Sequence, residues 1–332
     1  MTRISVIGAG SWGTALAKLL CENGHQVTLW VRETELVAEI LQKRQNTLYL
    51  PGVELPAQLH VTGDLDEATR DARFVLIVVP SHGLRAVVEN FGRLPSDCIF
   101  VSAVKGIETD TLRRMSEVLA SILGASRPIV VLSGPSLATE VANRIPTAIV
   151  AASTDLAAAK AVQEILMNPY FRVYTHHDVI GVELGGALKN IIALAAGIVD
   201  GAGFGDNTKA ALMTRGLVEI TRLGAKLGAD PLTFAGLSGM GDLFVTCMSR
   251  KSRNRYVGEE IGKGRKLQEI TEEMVMVAEG VRTTQAAYRL AQQVGVEMPI
   301  TMEVYRVLFE NKDPKQAVNT LMTREAKREK FG

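Results

Sequence analysis

The sequence has few aromatic residues and no excess of charge of either sign. Phe, Trp and Tyr make up 5% of its 332 residues, and 37 Lys and Arg stand against 36 Asp and Glu, a formal net charge of +1. This balance, with so few stacking side chains, excludes a protein that holds nucleic acid or an anionic membrane through a broad basic surface. Any anion-binding site is therefore expected to be local.

Cysteines and long apolar runs are also scarce. Cys21, Cys98 and Cys247 are widely separated and form no C-x-x-C pattern, which indicates a reducing compartment and no structural metal. The longest apolar run, residues 191–199, is shorter than the roughly 18 residues that a membrane span needs, and the N-terminal segment has no signal-peptide cleavage pattern. We expect a cytoplasmic protein that neither inserts stably into membranes nor binds nucleic acid.

The length predicts about two domains. Residues 1–175 alternate β-branched runs with amphipathic stretches, which predicts an α/β domain with a Rossmann-like, mostly parallel sheet. After about Tyr174 helical patterns take over, which predicts a mostly α-helical C-terminal domain over residues 176–332, interrupted by loops at 236–242 and 249–255. The predicted strands are Ile4–Ile7, Val27–Val31, Phe74–Val79, Ile99–Ser102, Ile129–Leu132, Ala148–Ala152 and Phe171–Tyr174. The predicted helices are Gly13–Asn23, Glu33–Lys43, Gly83–Phe91, Thr111–Leu123, Ser136–Asn143, Asp155–Leu166, Val179–Asp200, Lys209–Leu227, Gln268–Met276, Thr283–Val294 and Met302–Glu310.

A G-x-G-x-x-G motif stands between the first predicted strand and the first predicted helix. Gly8 permits a tight turn, Gly10 lets the backbone approach a pyrophosphate, and Gly13 lets helix and strand pack closely. The helix N-terminus then offers N–H groups to the anion. The motif in this context predicts a dinucleotide cofactor.

The residues after the second strand bear on which dinucleotide binds. An acidic residue here holds the ribose of NAD, whereas an arginine pairs with the 2′-phosphate of NADP. Arg32 comes first and Glu33 follows. This order favours NADP over NAD, and the alternative that both are solvated charges at a helix start stays open.

Two further strand ends carry candidate ligand-binding residues. Lys105, followed by Gly106, lies just past a strand, at the edge where parallel sheets bind ligands. A cation there can meet an anionic substrate or polarise a carbonyl, and a plain surface lysine is the alternative. The stretch 133–138 ends another strand and opens a helix with N–H groups of its own.

Lys189 is the most informative single residue, because it stands in an apolar helix whose nearest charges are Glu183 and Asp200. Desolvation of a buried ammonium lowers its pKa toward the range that is useful for acid–base chemistry. Gly185 and Gly186 precede it and weaken the helix, which indicates close approach of a ligand or of the cofactor domain. Snorkelling of the ammonium to the surface is the alternative.

The two predicted loops of the second half contain a carboxylate and a group of side chains that can bind an anion. Asp242 can pair with the lysine or cap the next helix. Ser252, Arg253, Asn254 and Arg255 bring together two guanidinium groups with hydroxyl and amide donors, as in a phosphate site. A solvated loop is the alternative.

With these residues assembled, the sequence resembles the bacterial NAD(P)-dependent glycerol-3-phosphate dehydrogenases over nearly its whole length. The segments that carry the resemblance include VIGAGSWGTALA, VKGIE, GVELGGALKNIIALAAGI, GMGDL and SRN. It implies reversible reduction of dihydroxyacetone phosphate to sn-glycerol 3-phosphate with NAD(P)H, in support of glycerophospholipid synthesis. By the same resemblance Lys189 is the proton donor and acceptor, assisted by Lys105 and Asp242.

The resemblance also implies binding roles. The cofactor contacts that it implies, together with the glycine motif, are Gly8, Gly10, Ser11, Trp12, Gly13, Arg32, Tyr49, Lys105, Ala138, Arg253, Val277 and Glu279. The substrate contacts are Lys105, Gly134, Ser136, Lys189, Asp242, Ser252, Arg253 and Asn254.

Two other functions remain as alternatives from the residues alone. One is a 3-hydroxyacid or phosphogluconate-type dehydrogenase of the same two-domain plan, and the other is a dinucleotide-sensing module without turnover. The sequence leaves the oligomeric state open, with a homodimer among the alternatives, and it gives neither kinetic constants nor feedback control.

Overall fold

The computed structural model describes residues 1–326 and 328–329, which form two compact units. The first unit comprises Met1–Val104 and Met115–Val179. The second comprises Lys105–Arg114 and the described residues from Ile180 onward.

This division differs in two ways from a single boundary after residue 175. The last strand continues to His176 and the next helix begins at Val179, so the first unit ends later than expected. Lys105–Arg114 also contacts the second unit, and only tertiary contacts reveal that.

The first unit contains an eight-stranded, mostly parallel sheet, as predicted. The strands are β1 Arg3–Ile7, β2 Gln26–Trp30, β3 Gln45–Asn46, β4 Leu50–Glu54, β5 His60–Thr62, β6 Phe74–Ile77, β7 Ile99–Ser102, β8 Ile129–Ser133, β9 Thr147–Ala152 and β10 Phe171–His176. The spatial order of the sheet is β10-β9-β8-β7-β6-β1-β2-β5, and all neighbours are parallel except β8 with β9. Strands β3 and β4 form a separate antiparallel pair. The prediction lacked β3, β4 and β5, which are short and have no run of apolar residues.

Helices cover this sheet, and two of their predicted starts need correction. The helices are α1 Ser11–Glu22, α2 Thr34–Lys43, α3 Leu65–Thr69, α4 Leu84–Val88, α5 Met115–Leu123, α6 Ala138–Ala142 and α7 Leu156–Leu166. The predicted helix Thr111–Leu123 begins only at Met115, because Leu112 has φ +58° and Arg114 forms a β-bridge to Ile107. The predicted helix Gly83–Phe91 is a 3₁₀ turn followed by the short α4.

The second unit is helical, as predicted. Its helices are α8 Val179–Gly201, α9 Asp206–Lys226, α10 Asp242–Met248, α11 Arg253–Gly262, α12 Leu267–Glu273, α13 Glu279–Val294, α14 Pro299–Phe309 and α15 Pro314–Met322. The predicted loop 236–242 is mostly helical, because Leu237–Gly241 is a π-helical turn that leads into α10. In the predicted loop 249–255, residues 249–252 are not helical, and Ser252 caps α11.

Helix α8 forms the centre of the second unit. It is long and apolar enough to cross a membrane, which the length of the unbroken apolar run did not indicate. However, 89% of its most apolar window is buried inside the protein, as expected of a core helix.

Glycines bring α8 and α11 into close contact. A Cβ at Gly197 on α8 would lie 2.0 Å from the Arg255 carbonyl oxygen, and one at Gly258 on α11 would lie 2.0 Å from that of Leu194. Side chains at these positions would force the helices apart. The close crossing brings the first turn of α11 alongside the helix that carries Lys189.

Candidate active site

The side chain of Lys189 is buried in the second unit. The residue is 6% exposed, so its ammonium does not snorkel to the surface. Lys189 Nζ lies 2.7 Å from Asp242 Oδ1 and donates a hydrogen bond to Thr246 Oγ1 at 2.6 Å. The helix therefore presents an ammonium that is held from two sides.

Asp242 joins Lys189 to a second lysine. Asp242 Oδ2 lies 2.5 Å from Lys105 Nζ, and the Asp242 side chain is 2% exposed. Asp242 is the first residue of α10, where the Thr246 hydroxyl, one turn later, donates to its carbonyl oxygen at 2.6 Å. One buried carboxylate thus faces two ammonium groups.

Burial lowers the pKa of Lys189 from 10.5 to about 8. Asp242 opposes this change, while the nearby ammonium of Lys105 adds to it. Lys189 is thus protonated at neutral pH, yet its pKa is close enough for it to release and recover a proton.

Gly185, one turn before Lys189 on α8, lies against the turn that leads into α10. A Cβ at Gly185 would lie 2.7 Å from the carbonyl oxygen of Ser238. The π-helical turn that precedes Asp242 therefore approaches α8 at Gly185. Gly185 lets the backbone that carries Asp242 approach the helix that carries Lys189.

The first turn of α11 brings Arg253 and Asn254 next to α8. Ser252 caps this helix by accepting a hydrogen bond from the Arg255 N–H at 3.2 Å. Asn254 Nδ2 donates to Asn190 Oδ1 at 2.9 Å, and Asn254 Oδ1 accepts from the Gly280 N–H at 2.9 Å. Asn254 is thereby fixed to the residue that follows Lys189.

Arg253 and Arg255 lie in different environments, so they do not form one phosphate site together, as the sequence indicated. Arg255 Nε donates to Asp200 Oδ2 at 2.8 Å, Arg255 Nη2 lies 2.6 Å from the same oxygen, and Lys209 forms a further ion pair with Asp200. Arg253 keeps an accessible surface at the start of α11, although the protein around its guanidinium removes part of its hydration. This desolvation lowers the pKa of Arg253, and the Glu279 carboxylate opposes the change. Arg253 is thus the better candidate for an external anion.

In the first unit, the glycine motif forms the predicted turn between β1 and α1. Gly8 has φ +114°, and a Cβ there would lie 2.8 Å from the Val78 carbonyl oxygen. A Cβ at Gly13 would lie 1.9 Å from the Gly8 carbonyl oxygen, whereas one at Gly10 would meet nothing within 4 Å. Gly8 and Gly13 are required by the fold, and Gly10 faces open space at the N-terminus of α1.

The residues that follow β2 gather beside this turn. The Arg32 side chain is 75% exposed and its Nη2 lies 2.9 Å from Glu33 Oε1. The Tyr49 hydroxyl is hydrogen-bonded to Glu33, and burial, followed by the nearby Glu33 charge, raises the pKa of Tyr49. Ser11 Oγ donates to the Tyr49 carbonyl oxygen at 2.5 Å. These four predicted or alternative cofactor residues therefore lie together.

Four more of the predicted contacts, Trp12, Gly134, Ser136 and Ala138, belong to the first unit. Trp12 and Ala138 pack on the same small apolar cluster beside α1. Gly134 follows β8 with φ +136°, and Ser136 Oγ donates to its carbonyl oxygen at 3.0 Å.

Two predicted cofactor contacts lie in the second unit. Val277 is an exposed residue just before α13, and Glu279 is the first residue of that helix.

Two residues of the site were not among the predicted contacts. Thr246 lies four residues after Asp242, a spacing that places both on one helix face and could have identified it. Asn190 follows Lys189 directly, but its pairing with Asn254 bridges 64 positions of sequence and left no local signal.

Within residues 1–326 and 328–329, no three His, Cys, Asp or Glu side chains form a cluster able to hold a metal ion.

A Rossmann-like unit with a glycine turn, followed by a helical unit with a buried lysine on a carboxylate, defines the class of dinucleotide-dependent dehydrogenases. A family model described as "NAD-dependent glycerol-3-phosphate dehydrogenase N-terminus" matches residues 3–159, and the corresponding C-terminus model matches residues 178–319. The chain therefore belongs to the NAD-dependent glycerol-3-phosphate dehydrogenase family, which confirms the resemblance seen in the sequence.

Individual relatives agree with this assignment over the full length. The chain is 56% identical to a glycerol-3-phosphate dehydrogenase (NAD(P)+) of Citrifermentans bemidjiense over 330 residues, 98% of each chain. It is also 56% identical to the enzyme of the same name from Thermoanaerobacter sp. over 331 residues, 99% of each chain. The crystal structure of glycerol-3-phosphate dehydrogenase from Coxiella burnetii is 41% identical, has a TM-score of 0.93, and aligns over 97% of this chain and 99% of that one.

Proposed function

We propose that this protein reversibly reduces dihydroxyacetone phosphate to sn-glycerol 3-phosphate with NAD(P)H. The observation that carries the proposal is the buried Lys189 ammonium, held by Asp242 and Thr246 beside the first turn of α11. It supplies a proton donor on the helix to which Asn254, the neighbour of Arg253, is hydrogen-bonded. Membership of the family and names of relatives at 56% identity support the same reaction.

Lys189 is the proposed proton donor for ketone reduction. When bound, the reduced nicotinamide supplies a hydride for C2 of the ketone, and the C2 oxygen then needs a proton. Within the described residues, two of the three N–H donors of Lys189 are directed at Asp242 and Thr246, which leaves one for that oxygen. In the reverse direction the neutral amine takes the proton back.

Asp242 and Lys105 set the charge around this proton. Two ammonium groups and one carboxylate leave a net positive charge, which stabilises negative charge that develops on the C2 oxygen. Asp242 also offsets much of the cost of burying Lys189. Lys105 is therefore proposed to stabilise the reacting oxygen, with Asp242 as the group that orients both lysines.

The first turn of α11 is the proposed phosphate site. Arg253 offers a charge-assisted contact, and the hydroxyl proton of Ser252 remains a donor while its oxygen caps the helix. Asn254 uses one of its two N–H groups on Asn190, and the other is a donor for the phosphate. Anchoring the phosphate here would fix C2 of the substrate relative to Lys189. Gly134 and Ser136 remain proposed substrate contacts from the family resemblance.

Gly8, Gly10 and Gly13, with the N-terminus of α1, are proposed to bind the pyrophosphate. Ser11, Trp12, Tyr49 and Ala138 lie at or beside this turn and are proposed to flank the dinucleotide. The resemblance adds Lys105, Arg253, Val277 and Glu279. Arg32 is proposed to meet the 2′-phosphate of NADP, which makes NADP the preferred cofactor, with Glu33 able to accept from the ribose of NAD.

Three wider statements remain part of the proposal. The reaction supplies the glycerol phosphate of glycerophospholipids, the protein acts in the cytoplasm, and it forms no stable membrane insertion. A homodimer is one oligomeric state to test. The two alternatives drawn from the sequence, an acid-specific dehydrogenase and a dinucleotide sensor, are not favoured, because the family match extends over both units.

The test is the initial rate of NADPH and NADH oxidation with three ketones. We expect rapid oxidation with dihydroxyacetone phosphate, slow oxidation with unphosphorylated dihydroxyacetone, and none with a 3-oxo acid. Preference for the oxo acid would favour the acid-specific alternative. Cofactor binding without oxidation of any ketone would favour the sensor and overturn the proposal.

A further inference from the structure

The segment that carries Lys105 is attached to the helical unit by its own contacts. The chain leaves the first unit after Val104 and rejoins it at Met115. In between, Ile107 is 2% exposed and belongs to the apolar core of the second unit. Arg289 Nη1, on α13, donates to the Thr109 carbonyl oxygen at 2.7 Å.

An ion pair closes the other end of this segment. Arg114 Nη1 lies 2.8 Å from Glu183 Oε2 on α8, and the two side chains are 16% and 2% exposed. Arg114 also forms the β-bridge to Ile107, which draws the two ends of the 107–114 loop together. Because both side chains are largely buried, removal of either member of the pair is costly, so the contact restrains the segment.

We propose that the ion pair of Arg114 with Glu183 positions Lys105: it fixes the 105–114 segment to α8, the helix that carries Lys189, and so keeps the Lys105 ammonium on Asp242. The inference rests on the proposed function, because it gives the pair a role in the proposed reaction. Arg114 and Glu183 are positioning residues that act through Lys105.

Loss of the ion pair between Arg114 and Glu183 would change the pKa of Lys189. The titratable groups that act on the Lys189 ammonium are Asp242 and the Cys247 thiol on α10, which raise its pKa, and Lys105 on the segment, which lowers it. If Lys105 withdraws from Asp242, the pKa of Lys189 rises. A general loss of packing that hydrates Lys189 would also raise its pKa, because burial is the main cause that lowers it. The Lys105→Met background separates the two, since only an effect that passes through Lys105 is lost there.

The experiment compares Arg114→Gln, Glu183→Gln and Lys105→Met by the pH dependence of kcat/KM for dihydroxyacetone phosphate. We expect Arg114→Gln and Glu183→Gln to lower kcat/KM about tenfold and to shift the basic limb of the profile upward, as Lys105→Met does more strongly. In a Lys105→Met background, Arg114→Gln should add less than about twofold, because its effect passes through Lys105. Arg114→Lys should restore part of the activity.

Arg113→Gln is the matched control, since it removes the same charge from an exposed neighbour. Arg289→Gln, at an exposed position, loosens the same segment without disturbing the buried pair and should cause a smaller shift in the same direction. An unshifted profile in both Arg289→Gln and the buried-pair variants would overturn the inference. So would a full Arg114→Gln effect that persists without Lys105. A parent enzyme inactive on dihydroxyacetone phosphate would instead refute the proposed function.

Discussion

Asp242 Oδ1 lies 2.7 Å from Lys189 Nζ, and this contact joins the first residue of α10 to the middle of α8. It is what makes a buried ammonium tolerable in an apolar core helix, since an unpaired one would lose its proton or unfold the helix. The other Asp242 oxygen is occupied by Lys105. Lys189 and Lys105 are therefore coupled through the carboxylate of Asp242.

Asp242→Asn should shift the pH dependence of ketone reduction toward acid. The carboxylate raises the pKa of Lys189, so its removal lowers that pKa further and leaves less protonated donor at neutral pH. We expect kcat/KM at pH 7.5 to fall about 100-fold and the basic limb of the profile to move down. Asp206→Asn, at an exposed position of the same unit, serves as the control. An unmoved limb in a folded variant would contradict the coupling.

Arg253→Ala should raise KM for dihydroxyacetone phosphate by about 10- to 100-fold, because a charge-assisted contact contributes on the order of 1.5–3 kcal/mol. Turnover of unphosphorylated dihydroxyacetone should change much less. Steady-state kinetics on both substrates, with Arg250→Ala as an exposed control, decide the matter. Equal losses on both substrates would show that Arg253 does not anchor the phosphate.

Arg32→Asp should change the ratio of kcat/KM for NADPH and NADH. A carboxylate at this exposed position repels the 2′-phosphate, whereas NADH is spared or bound better. Because Glu33 already lies beside Arg32, we expect a changed ratio rather than a complete switch. Arg93→Asp, exposed elsewhere in the same unit, makes the same charge change. The same ratio in parent and Arg32 variant would mean that Arg32 is a solvated surface residue.

Glu219→Gln should alter the pH dependence of stability rather than catalysis. Glu219 is 3% exposed, accepts from the Ile300 N–H at 2.6 Å at the start of α14, and burial raises its pKa from 4.5 to about 7. The native state therefore favours the protonated side chain, and the stability that this gives is present below about pH 4.5 and lost as pH rises through 7.

Thermal unfolding of the Glu219 variant and the parent at pH 5 and pH 8 tests this point. The parent should lose stability relative to Glu219→Gln between the two pH values, by an amount on the order of 2–3 kcal/mol. Shifts common to both proteins cancel in the difference. An identical difference at both pH values would show that the carboxyl does not titrate in this range.

Local sequence patterns predicted the features that depend on residues close together in the chain. The glycine turn depends on backbone space at Gly8 and Gly13, and the lysine in α8 stands out because it interrupts an apolar stretch. Helix α15 was missed although Asp313 and Pro314 are a standard start, with Asp313 accepting from the Gln316 N–H at 3.0 Å. That signal was available in the sequence.

Long-range pairing explains what the sequence did not reveal. Lys105 follows a strand of the sheet, and only the burial of Ile107 and the partner of Arg114 assign its segment to the helical unit. Arg255 and Arg253 stand two positions apart and look equivalent in sequence. Asp200, 55 positions earlier, distinguishes them by pairing with Arg255.

The most direct test of the account is the turnover of Lys189→Ala with NADPH and dihydroxyacetone phosphate, measured together with the Kd of NADPH. Removal of a proton donor typically costs about 10²–10⁴-fold in rate. We predict a kcat reduced by that factor and a cofactor Kd within about twofold of the parent, since the glycine turn belongs to the other unit. A folded Lys189→Ala enzyme with near-parent kcat would contradict the assignment of Lys189 as the proton donor.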